Sequence, residues 1–189
     1  MIRKPQNWEN VQVMTDRAKL PVGAYVCKVK QVGIQHNDYG DQLAILFDIA
    51  EGDHKDFYSR EFQQNPNQNK KWKGVIRIWL PKDDGSDKDE KTKRLFKGMV
   101  TSFEESNPGF HWNWDESTLV GKTIGIIYRN EEWEYNGRTG WTTEAAGADS
   151  IDSIRDGKFY HYKDKPLPEK PASAPAFEEL DDSESDLPF

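Results

Sequence analysis

Residues 75–109 read VIRIWLPKDDGSDKDEKTKRLFKGMVTSFEESNPG, and this stretch decides the fold. Its first six residues alternate. Ile76, Ile78 and Leu80 share one face, and Val75, Arg77 and Trp79 the other, the period of two of a half-buried strand. An acidic lead-in from Asp83 to Glu90 follows. Within it Ser86 and Asp89 have the spacing of a capping box, whose side chains satisfy free amides of a first helical turn. Leu95, Phe96, Met99, Val100 and Phe103 then recur at helical spacing and give one apolar stripe. Asn107-Pro108-Gly109 stops the helix.

Working outward, other segments repeat the strand pattern. From Ala24 to Val32, Tyr25, Cys27 and Val29 point one way, while Val26, Lys28 and Lys30 point the other. Asn37-Asp38-Tyr39-Gly40-Asp41 is turn chemistry, and Leu43, Ile45, Phe47 and Ile49 line one face of a second strand. Phe57 to Phe62 reads as a short strand and Gln63 to Lys71 as a loop. Past the helix, Gly121 to Arg129 is a strand. Glu131 to Glu144 is a hairpin, because Asn136-Gly137 supplies the positive φ angles of a tight two-residue turn. Asp149 to Phe159 closes the body as a turn or strand.

The expected class is therefore mainly β (α+β). Its order, three strands, a helix and two strands, is that of an OB-fold, a five-stranded partly open barrel with one helix between strands 3 and 4. Other α+β arrangements share this order. Residues 1–162 form the expected domain, and residues 163–189 a linker and tail. Pro166, Pro168, Pro171 and Pro175 there alternate with small and charged residues, and no apolar period remains to offset the entropy of ordering.

A net charge of −7 argues at first against a nucleic-acid partner. Six of the 33 acids, however, lie in residues 171–189, which hold no Lys or Arg; the remainder has 27 acids against 26 basic residues. Such a near-neutral body can carry a basic groove. Cys27, the one cysteine, has no disulfide partner and is expected to be buried packing. Met1-Ile2-Arg3-Lys4-Pro5-Gln6 has no apolar stretch behind it and does not read as a secretory signal. No apolar run nears the ~20 residues of a membrane span. A reducing cytoplasm is the expected location.

Residues 181–189 are Asp-Asp-Ser-Glu-Ser-Asp-Leu-Pro-Phe. Phe189 offers an apolar ring and a carboxylate on one residue, Pro188 limits the entropy lost on docking, and the acids speed encounter with basic surfaces. This ending resembles that of bacterial single-stranded DNA-binding proteins, a Pro-rich linker followed by acids and Asp-Ile-Pro-Phe. Asp186, Pro188 and Phe189 match directly and Leu187 replaces the isoleucine; Ser183 and Ser185 dilute the acids. The resemblance implies a docking peptide for replication, recombination and repair proteins, held through Asp181, Asp182, Asp186, Leu187, Pro188 and Phe189. The body resembles a divergent group of such proteins from phages and integrated elements of Gram-positive bacteria, on the runs Phe103–Gly109 and Leu119–Gly125. That likeness also implies a homo-oligomer.

A single strand is held by cations along its phosphates and flat rings under its bases. Lys70-Lys71-Trp72-Lys73 is the densest such cluster. Arg77 and Trp79 face outward if Ile76 and Ile78 face the core. The hairpin puts Trp133, Tyr135 and Arg138 on one face, and Lys28 and Lys30 point away from the core. The expected DNA-binding set is thus Lys28, Lys30, Lys70, Lys71, Trp72, Arg77, Trp79, Trp133, Tyr135 and Arg138, although Trp72, Trp79 and Trp133 also suit a core. Trp112 and Trp114 read as a plug for one end of the barrel. Lys91, Lys93, Arg94 and Lys97 read as a solvated helix face.

Chemistry for catalysis is missing from the pattern. His36, His54, His111 and His161 lack metal-ligand spacing. Asp83–Glu90 lacks the later Glu of a calcium loop. Gly121-Lys122-Thr123 shares only the last letters of a phosphate loop and precedes a strand. No cofactor or metal is expected. The expected function is sequence-independent binding of single-stranded DNA, without enzymatic activity, in a bacterial host cell. The rivals are an adaptor or decoy that occupies host tail-docking sites, and a strand-annealing protein or nuclease using acids such as Asp48, Glu51 and Asp53.

Overall fold

The computed structural model describes residues 2–10 and 19–168. Turn chemistry and alternation build the first hairpin. β1 (Ala24–Asn37) runs into β2 (Gly40–Ile49), and the Asn37 Oδ1 accepts the Tyr39 N–H at 3.1 Å in the turn. β2 pairs with β3 (Val75–Trp79), β1 pairs with β4 (Thr123–Tyr135), and β4 pairs with β5 (Arg138–Asp149), all antiparallel. The sheet order is β3-β2-β1-β4-β5. Its end strands β3 and β5 approach within 8 Å between Cα atoms, but no ladder joins them, so the sheet is not closed. The architecture is mainly β, α+β, with α2 (Asp87–Ser106) between β3 and β4 as the strand-helix order requires.

The core fills the inner face. Cys27 and Val29 of β1 meet Leu43, Ile45, Phe47 and Ile49 of β2, Ile76 of β3, and Ile124, Ile126 and Tyr128 of β4. Cys27 is fully buried, as expected. α2 closes this core with Phe96, Met99 and Phe103. Burying such side chains contributes about 1.5–3 kcal/mol each. The Tyr58 and Tyr128 hydroxyls sit inside it and satisfy each other at 3.0 Å.

Residues 57–62 correct the expected strand: they belong to α1 (Phe57–Gln64). Six residues are too few to separate the two periods, and a distant residue decides. Asp48 is buried, and its carboxylate accepts the Tyr58 and Ser59 N–H groups, each at 3.0 Å, which fixes the first helical turn. Tyr58 then packs edge-on to Phe47 with ring centroids 5.9 Å apart. Gly74 permits the close fit, since a Cβ there would stand 2.4 Å from the Phe47 carbonyl and 2.5 Å from the Tyr58 ring.

Ser86 caps α2 by accepting the Asp89 N–H at 3.1 Å. The reciprocal half of the box is redirected: the Asp89 side chain accepts the Lys82 N–H at 2.7 Å, and the Ser86 N–H donates to Asp84. Leu95, assigned above to the apolar stripe, is 62% exposed. The buried stripe runs through Phe96, Met99 and Phe103, which lie about 40° to 100° round the helix from it. Trp112 packs against the core beside Phe96, but Trp114 is 73% exposed and plugs nothing.

The β4–β5 turn is the expected one, with φ of 50° at Asn136 and 73° at Gly137. After β5, residues 151–155 form a short helix, α3 (Ile151–Arg155), capped by Ser150. The chain then turns back. Tyr162 lies over Gly147, where a Cβ would fall 2.2 Å from its hydroxyl. Lys165 pairs with β4, its N–H donating to the Asn130 carbonyl and its carbonyl accepting the Glu132 N–H, both at 2.9 Å. Leu167 N–H donates to Glu132 at 3.1 Å. The start of the stretch read as linker therefore lies along the β4 edge. No helix among the described residues is long and apolar enough to cross a membrane.

Candidate functional site

Register decides which side chains share the outer face. Gln35, Gln42 and Trp79 are directly aligned across β1, β2 and β3. Gly33, Ala44 and Arg77 form the next aligned row on that face. Arg77 reaches over β2 and donates from Nε to Gln35 Oε1 at 2.9 Å. Its side chain roofs Ala44, which is only 4% exposed. Trp79 is 41% exposed at the edge of this shelf, and Gly40 and Lys82 lie beside its ring. Arg77 and Trp79 thus stand together, outward, Arg77 in the row of the small Gly33 and Ala44 and Trp79 in the row of Gln35 and Gln42.

The hairpin carries a second aromatic group. Trp133 pairs with Gly140 and Tyr135 with Arg138, so Trp133, Tyr135 and Arg138 share one face. The Trp133 ring covers Gly140, where a Cβ would stand 2.8 Å from it, and remains 42% exposed; Tyr135 is 72% exposed. Of the acids nearby on β4, Glu131 shares the face of these rings, whereas Glu132 and Glu134 point to the other face of the hairpin. Lys165 pairs with Glu131, and Arg129 approaches Glu131 at 3.6 Å. Glu144 lies where β5 nears β3. Loss of solvent and the neighbouring Glu131 push its carboxyl up, against Lys73, Arg77 and Lys165, which pull it down.

The expected lysines separate into two further places. Lys30 is the unpaired residue of the β1 bulge between Val29 and Gln31, and with Lys28 it lines a recess of about 300 Å³ together with Lys55, Asp48 and Asp56. Lys28 pairs with Asp48, six residues along β2 from the Gln42–Trp79 row, or roughly 20 Å. Lys70 lies 4.6 Å from the Phe62 ring centroid, Lys71 is exposed, and Lys73 pairs with Glu61. Trp72 is a packing residue. Its Nε1 donates to the Phe47 and Gly74 carbonyls at 3.0 and 3.1 Å, and its ring rests against Tyr58 and Phe62.

The fold therefore brings Arg77 to Trp79, and Trp133 to Tyr135 and Arg138. It does not bring Lys28 or Lys30 to either pair. The β1–β2 turn lies at the Trp79 end of the shelf, whereas the β4–β5 hairpin continues past Ala24, the first residue of β1. Sequence reasoning missed Trp141, exposed on the opposite hairpin face beside Glu132, and Tyr39, exposed at the tip of the β1–β2 turn. Counting forward from Asn136-Gly137 along the returning strand would have found the first. Asp181, Asp182, Asp186, Leu187, Pro188 and Phe189 lie outside the described residues. No group of three or more His, Cys, Asp or Glu among the described residues could hold a metal ion. No protein-family model matches the chain, and no curated protein matches it.

Proposed function

We propose that this chain binds single-stranded DNA without sequence preference, does no chemistry on it, and recruits replication or recombination proteins through residues 181–189. The observation that carries this reading is the outward pairing of Arg77 with Trp79 on a shelf floored by Gly33 and Ala44. A cation and a ring side by side on a flat sheet suit one phosphate and one base. The sheet order supports an OB-type body, since cutting such a barrel between its third and fifth strands leaves this succession of neighbours. In that body the shelf and the two hairpins correspond to the usual strand-binding surface, and Trp133, Tyr135 and Arg138 extend it. Trp72 drops out of the contact set because its ring is packed against Tyr58 and Phe62.

A second reading, an adaptor that binds protein and no DNA, draws on the acids of β4, Glu131 on the face of Trp133 and Glu132 and Glu134 on the other, which give the hairpin a charge that repels phosphates. Titration of intrinsic Trp fluorescence with an oligothymidylate and with a duplex at low salt separates the two. The DNA reading expects quenching by the single strand that weakens as salt rises. No quenching and no gel shift would leave the adaptor.

A further inference from the structure

One surface is used neither by the core nor by the proposed site. α2 buries Asp89, Phe96, Met99, Ser102 and Phe103, and turns Lys88, Lys91, Arg94, Leu95 and Lys97 outward. Among the described residues, none of Lys88, Lys91, Arg94 and Lys97 forms an ion pair, whereas Lys93 is held by Asp83, Asp89 and Glu90 at 3.0, 3.3 and 3.1 Å. No acid occurs from Lys91 to Phe103. The four cations fall on every third residue, with neighbours about 5–6 Å apart, so they form a ridge that winds about half a turn round the helix, Lys91, Arg94 and Lys97 lying within about 120° of one another. Gly98 leaves the helix open beside this ridge, with nothing within 4 Å of where a Cβ would stand. Like charges at this spacing cost a helix a few tenths of a kcal/mol per pair. Asp87 and Glu90, four residues before Lys91 and Arg94, offset part of it without reaching ion-pair distance, and among the described residues no ion pair from another element reaches the four.

We infer that this ridge is a second contact for the phosphate backbone of a nucleic-acid strand, distinct from the Arg77–Trp79 shelf. The inference rests on the single-stranded DNA reading above. Even spacing selects the ligand: a phosphate backbone repeats its charge regularly, whereas an acidic peptide presents charges broken by neutral side chains. Leu95, exposed beside Lys91 and Arg94, offers apolar contact to a sugar or base. The loop between the two surfaces carries Asp83 and Asp84, which repel a strand laid straight across it. A short strand therefore occupies the shelf alone, and a long one arcs over the loop to reach the ridge.

The test uses the full chain with fluorescein-labelled oligothymidylates of about 8 nucleotides, within the roughly 4–16 that one OB body holds, and about 40, well beyond it. The triple variant Lys91→Glu/Arg94→Glu/Lys97→Glu is compared with wild type over a salt series, with Lys91→Gln/Arg94→Gln/Lys97→Gln as a gentler companion. The long strand should weaken about tenfold or more at low salt, and its salt slope should flatten by about 2, at about 0.7 per lost phosphate contact. The short strand should change less than about twofold. Equal weakening of both lengths, or of neither, overturns the second contact and leaves the shelf reading standing. A synthetic peptide of residues 178–189 that binds wild type but not the variant, with DNA binding unchanged, assigns the ridge to an acidic protein segment instead. If wild type binds neither strand, the shelf reading and the ridge fall together.

Discussion

Arg77 of β3 and Gln35 of β1 are joined across the intervening strand, Nε to Oε1 at 2.9 Å. This bond lays the guanidinium flat on the outer face beside Trp79. Arg77→Ala should weaken oligothymidylate binding by about 1–2 kcal/mol and reduce its salt slope by about 0.7. Trp79→Ala should cost about 1–3 kcal/mol and leave the slope unchanged, because a ring makes no charge contact. Fluorescence anisotropy at several salt concentrations checks both. Equal slopes for the two variants would mean that Arg77 does not touch phosphate.

Asp48 is the buried charge on which α1 depends. Replacing it with Ala leaves the Tyr58 and Ser59 amides without their acceptor in a buried place. We expect Asp48→Ala to destabilise the protein by about 2–4 kcal/mol, read from the midpoint of urea unfolding. Asp48→Asn, which keeps an acceptor oxygen, should recover part of that loss.

Alkaline pH should unfold the protein stepwise. Burial pushes the Cys27 thiol far above its ordinary value, and the Tyr58 and Tyr128 hydroxyls are raised as well. In the unfolded chain the thiol loses its proton near pH 8.5 and the tyrosines near pH 10. Above those values the folded state holds more protons than the unfolded one, so stability falls as pH rises. The slope should be about 1.4 kcal/mol per pH unit for the first proton, and steeper once the tyrosines join. Urea midpoints from pH 7.5 to 10.5 measure it. Cys27→Ala should postpone the onset to about pH 10, though from a lower starting stability.

Two truncations separate the C-terminal segments. A chain ending at Pro168 keeps the pairing of Lys165 and Leu167 with β4, and should bind DNA as well as the full chain or better, while losing partner capture in a pull-down. A chain ending at Lys163 gives up those bonds. It should show faster amide exchange at Glu132, whose N–H loses the Lys165 carbonyl, and weaker DNA binding through the hairpin. Equal DNA affinity for the two would detach the hairpin from the site.

The legible parts of this fold were those written locally. Alternation placed β1, β2 and β3, Asn136-Gly137 set the hairpin register, and Ser86 began α2. The parts that were not legible depend on distant partners. Residues 57–62 became helical through Asp48, ten residues upstream. Leu95 and Phe96 are neighbours in sequence, and only the angle at which α2 meets the sheet buries one and exposes the other. The candidate site follows the same division: Arg77 with Trp79, and Trp133 with Tyr135, follow from strand period alone. The inward turn of Trp72 follows from Gly74, whose missing side chain lets the indole reach a carbonyl.

The gap between β3 and β5 has a consequence for crowding. Two bare strand edges are templates on which another molecule could extend the sheet, the first step toward aggregation. Lys73, Arg77 and Glu144 stand at that opening, and an incoming strand would have to strip water from all three. Charge at the gap thus deters self-adhesion, a safeguard that would matter most where many copies are ranged side by side along one polymer.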